Sequence, residues 1–154
     1  MPDLLTHFFV GAAGGMALGR RVEPVAFLAG SVLPDLASRG LGTALPSLRF
    51  LGVVAHFPLG VALQVGMAAC LFPPELRRRG SLGVGLGALL HCILDACQTN
   101  LFGENAVSLY PLTWEPVRLG FWGSNDWPVL LALAALPGLW GLWRLVRHVL
   151  RGAP

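Results

Sequence analysis

The chain is 154 residues long, 55% hydrophobic and only 12% charged, roughly half the charge of an ordinary soluble domain. That balance excludes a typical water-soluble enzyme and predicts a single all-α membrane unit of about five helices. The net charge of +3 rests on arginines alone, grouped at the ends of apolar stretches, which excludes a basic nucleic-acid-binding face.

Asp3 stands where a secretory signal would carry basic residues, so the first apolar run reads as a retained span, not a cleaved leader. That span covers residues 4–19, with Gly11, Gly15 and Gly19 at a four-residue spacing that lines one face with small residues. Arg20 and Arg21 end it. A second apolar segment, 23–34, opens with Pro24 and is expected to stop at Pro34, because proline disfavours helix in the residue before it. The two form a short hairpin, with Asp35 at or beyond its end. Residues 50–72 make a third span, in which Pro58 is placed to introduce a kink.

The fourth span, 82–102, has Gly83 and Gly87 at small-residue spacing and carries His91, Asp95 and Asn100. Residues 103–126 are more polar and read as an irregular outer loop, one able to cover a site or simply to tether two spans. The fifth span, 127–147, has Pro128 in its first turn and arginines at its far end. Tryptophans at both its ends read as an interfacial belt. Cys70, Cys92 and Cys97 lack CxxC spacing and read as small buried hydrophobes.

Eight of the eleven arginines fall in three clusters, 20/21, 77–79 and the tail, and five alternating spans put all three on one side. Short cytoplasmic segments carry the arginine excess, so the expected topology is N-terminus out and C-terminus cytoplasmic, in a bacterial inner or archaeal cell membrane.

A charge at the centre of a membrane helix costs roughly 2.5–3.5 kcal/mol, so each one needs a partner or a purpose. His7, Asp35, His56, His91 and Asp95 are the five such residues. Counted from the arginine level at about 1.5 Å per residue, they lie about 15–24 Å up, in one slab of the outer half of the bilayer. His91 and Asp95, four apart, share a helix face and can hold one metal or one proton. Imidazole nitrogen with carboxylate oxygen suits zinc first, then manganese or ferrous iron. Such a site would activate water for hydrolysis, with a spare carboxylate as general base. The plainer alternative is a hydrogen-bonded polar cluster without metal.

The stretches DLLTHFFVG, SVLPDLASRG, VVAHFPLG, LLHCILDACQTNLFG, SLYPLTW and RLGFWGSNDW resemble, in order and spacing, the membrane-bound metal-dependent hydrolases of the inner membrane, a family similar in motif layout to zinc-dependent phospholipase C. The resemblance implies that His7, Asp35, His56, His91 and Asp95 ligate metal or adjoin it, and that Asp126 is a further site acid, leaving Asp35 and Asp126 for catalysis. Thr99 and Asn100 would support the ligands. The pattern departs from the family at Ala37, where a second acid is common, and at Gly52 and Val53, where a second histidine is. The expected function is hydrolysis of a lipid or lipid-linked phosphoester among membrane lipids. The alternative is a non-catalytic subunit of a larger membrane complex or homo-oligomer, with no nucleic-acid partner.

Overall fold

The computed structural model describes residues 4–48, 54–99, 107–109, 111–113, 115–117, 119–123 and 125–151. Five α-helices stand out: α1 (Leu4–Ala17), α2 (Pro24–Ala44), α3 (Pro58–Leu71), α4 (Pro74–Cys97) and α5 (Trp127–Leu150). Short strands follow α4: β1 (Gln98–Thr99), β2 (Val107–Ser108), β3 (Pro116–Val117) and β4 (Trp122–Gly123). The all-α bundle and its opening α1–α2 hairpin agree with the sequence reading.

α2 packs on α4 and on α1, α5 lies along α1, and α3 leans on α4. The α2–α4 contact runs backbone to backbone. A Cβ on Gly30 would strike the Val84 backbone, and one on Gly87 would strike the Phe27 carbonyl and, at 2.8 Å, the Ser31 nitrogen. Small residues permit this approach, and it brings Ser31 against the half of α4 that carries His91.

The elements differ from expectation at four places. α2 runs through Pro34 to Ala44: the proline removes only the N–H that would bond Gly30, and in a packed membrane helix neighbours absorb that loss. α3 begins at Pro58 without a kink, because proline at a first helical position gives up a donor that has no intrahelical acceptor there. α4 starts at Pro74 for the same reason, so Arg77–Arg79 belong to it, and it ends at Cys97. The outer segment is partly ordered by pairing: β1 runs parallel to β4, and β2 antiparallel to β3.

Burial is inverted relative to a soluble domain. Leu71, Leu133 and Leu136 are 83%, 71% and 80% exposed, whereas His7 and His91 are 0% and Asp35 2% exposed. Apolar side chains thus face outward and ionisable ones inward, as lipid surroundings require. α4 and α5 are long and apolar enough to cross a membrane by length and composition. α1 and α3, at 14 residues each, are about 21 Å long.

Candidate metal centre

Four elements deliver the five inward polar residues. α1 supplies His7, whose carbonyl accepts from the Ser31 hydroxyl at 3.3 Å while the same hydroxyl donates to Leu28 O at 2.8 Å. α2 supplies Asp35, one residue past Pro34. α4 supplies His91 and Asp95 on one face. His56 comes from the turn entering α3: Phe57 N–H donates to Val54 O, Gln64 Nε2 to Ala55 O and Cys92 Sγ to His56 O. That turn folds onto Gly60, where any Cβ would collide with the Val54 carbonyl and Ala55, so glycine is what lets His56 reach inward.

Asp95 is the hub. Its Oδ1 lies 3.3 Å from His7 Nε2, and its Oδ2 lies 3.2 Å from His91 Nε2 and 3.8 Å from His56 Nε2. Asp35 Oδ1 is 3.9 Å from His56 Nε2, and its Oδ2 is 3.6 Å from the Arg39 guanidinium. The His7 and His91 rings stack at 4.0 Å, and His56 tilts against His91 at 5.1 Å. The slab inferred from helix arithmetic is therefore a single contact cluster.

His91 Nδ1 sits 2.9 Å from the Ser31 carbonyl. A carbonyl only accepts, so Nδ1 carries the hydrogen and Nε2 presents a lone pair to Asp95, the arrangement common to metal-ligating histidines. Among the described residues, His7 Nδ1 and Nε2, His91 Nε2 and Asp35 Oδ2 are buried without a hydrogen-bond partner. The close His–Asp separations lack hydrogen-bond alignment at these atoms. Buried groups in that state call for an ion or water between them.

Two overlapping triads, His7–Asp35–His91 and His56–His91–Asp95, hold their ligand atoms within 4.8 Å of one another. Ligands about 2.0–2.2 Å from zinc stand about 3.3–3.6 Å apart at tetrahedral angles, close to the separations around Asp95. The residues fit a divalent ion.

Among the described residues, Asp126 has no hydrogen bond or ion pair to this cluster. It is exposed, and its Oδ2 accepts from Gly123 N–H at 2.7 Å, closing the turn before α5. Thr99 is likewise occupied elsewhere, donating to Trp122 O. Ala37 lines an apolar groove beside α2, while Asn100, Gly52 and Val53 lie outside the described residues. Arg39 and Ser31 were not singled out by sequence. The i,i+4 spacing of Asp35 and Arg39 signals the first only once α2 continues past Pro34; the Ser31 carbonyl carries no sequence signal.

Residues 1–152 match the family described as YdjM inner membrane protein. The chain belongs to the YdjM inner membrane protein family. Membership places the protein in the inner membrane, in keeping with its outward apolar faces; the family description names no reaction. This YdjM-family chain is also 35% identical over 105 residues to a Myxococcus xanthus (strain DK1622) protein named Na(+)/H(+) antiporter NhaA 1, an alignment covering 68% of the chain and 23% of that protein. The chain thus spans under a quarter of that relative's length. No solved structure gives a significant match.

Proposed function

We propose that the protein is a metal-dependent hydrolase acting on a membrane lipid or lipid-linked phosphoester, with zinc the first choice of ion and manganese or ferrous iron the alternatives. The observation that carries this reading is the sealed, stacked His7–His91 pair beside Asp95, in which both His7 nitrogens and His91 Nε2 have no hydrogen-bond partner among the described residues. A divalent ion there supplies Lewis-acid polarisation of a phosphoryl or carbonyl oxygen and a more acidic water.

The chain's own residues do the rest. Ser31 O locks the His91 ring, and His56 and Asp95, with His7 beside Asp95, stand around it as the further ligands. Asp35, within reach of His56 and one turn from Arg39, is the carboxylate placed to accept a proton as general base. Arg39, half-exposed at the rim, offers a guanidinium to a phosphate oxygen. Asp126 has no part in this assignment.

The test is hydrolysis of phosphatidylglycerol in vesicles containing the purified protein. Turnover is expected to disappear with a chelator, return with zinc, and fall by about 10²–10⁴-fold in Asp35→Asn. A zinc-loaded protein that hydrolyses no phospholipid rejects the reading. The likeness to an antiporter supports a second reading, a buried cation or proton site; sodium-dependent proton movement across the same vesicles, lost in Asp95→Asn, would favour it.

A further inference from the structure

Beside His56 an apolar groove of about 480 Å³ runs between α3 and α4. Its α3 wall is Pro58, Val61 and Ala62, and its α4 wall includes Leu89, Ile93 and Ala96. Leu109, Val117 and Leu119 roof it. The roof is pinned: Leu119 N–H donates to Ala96 O at 2.7 Å, Phe121 N–H donates to Cys97 O at 2.7 Å, and β2 pairs with β3. Among the described lining residues, His56 is the only ionisable side chain apart from the Cys92 thiol, and its Nε2 lies within 4 Å of both site carboxylates.

We infer that this groove holds an acyl chain of the substrate lipid, with the chain entering sideways from the bilayer and its head end reaching the cluster at His56. The proposal deepens the hydrolase reading and rests on it. Three observations select the occupant. Apart from His56 at one end and the Cys92 thiol, which donates to the His56 carbonyl, the described lining side chains are apolar, so affinity there comes from apolar contact. Leu89 and Ile93, half-exposed on α4, continue the groove onto the outward face that meets lipid tails. The lining spans residues 89–96 of α4, about 10 Å along that helix, enough to take the head-proximal part of a chain filling one leaflet's half of the about 30 Å hydrocarbon core. A soluble phosphoester would use the cluster and leave the groove empty.

The test uses purified full-length protein in phosphatidylethanolamine–phosphatidylglycerol vesicles containing a phosphatidylglycerol with a diazirine in mid-chain. After photolysis, crosslinks are expected on residues 58–62 and 89–96. Ala62→Trp and Ile93→Trp, both at exposed positions, fill the groove without entering the core and should lower that yield about tenfold. Leu136→Trp, on the outward face of α5, should leave it unchanged. Crosslinks confined to α5 or to the larger groove between α2 and α3, or yields indifferent to both groove variants, overturn the proposal. Groove crosslinks lost in both variants from a protein without hydrolytic activity would uphold the groove and reject the hydrolase reading. Hydrolysis of phosphatidylglycerol at equal rates in wild type and both variants, without groove crosslinks, would do the reverse.

Discussion

His7 is sealed from solvent with neither nitrogen hydrogen-bonded among the described residues, an arrangement worth about 1–3 kcal/mol of instability for each buried polar group left unsatisfied. Phenylalanine would keep the stack on His91 and remove those atoms. His7→Phe is therefore expected to raise the stability of the metal-free protein by about 1–3 kcal/mol and to abolish the stabilisation gained on adding zinc. Thermal unfolding with and without chelator reads both. A variant less stable than wild type under chelator would mean that His7 serves packing alone. The residue itself was legible in the sequence, because an imidazole in an apolar run is conspicuous and depth arithmetic aligned it with four others. Asp126 reached the expected site only through family resemblance. No helix spacing tied it to the cluster, and the structure gives it a turn to close.

At the scale of the element, α2 decides where Asp35 stands. The proline rule made Pro34 a stop, yet the rule is a preference that packing overrides. With α2 continuous, Asp35 faces inward and Arg39 falls one turn further along. Apolar runs and glycine spacing showed that helices would exist and approach closely, so α1, α4 and α5 were readable to within a turn or two, except at the N-terminal end of α4. The turn carrying His56 was not, because its shape depends on the Gln64 and Cys92 side chains and on the absence of a Cβ at Gly60. Pro34→Ala restores an N–H for Gly30 and should stabilise the metal-free protein by up to about 3 kcal/mol. Denaturation of the metal-free form checks this, and a variant less stable than wild type would show that the packing of the buried Pro34 ring outweighs the restored hydrogen bond.

Across the whole molecule, charge and chemistry separate to opposite ends. Glu23 N–H donates to Arg79 O, and the Arg79 guanidinium bonds Val22 O, so the first two arginine clusters share one end. Gly138 meets Phe9 and Gly141 meets Ala12, so α5 runs parallel to α1 and carries its arginines to that same end, where Arg147 lies 4.1 Å over Trp143. The histidine–aspartate cluster sits toward the other end. The arginine excess predicts that the charged end is cytoplasmic. In a Cys70→Ser background, Arg78→Cys should react with an impermeant maleimide only from the cytoplasmic side and Phe121→Cys only from outside. The opposite pattern inverts the topology.

The central claim is that the histidine–aspartate cluster holds a divalent ion, and metal content tests it most directly. Protein purified without chelator should carry about one transition-metal ion per chain, lost in His91→Ala and in Asp95→Asn, both still folded. Wild-type protein that neither carries such an ion nor takes up added zinc, with unfolding unchanged by His91→Ala, would contradict the account.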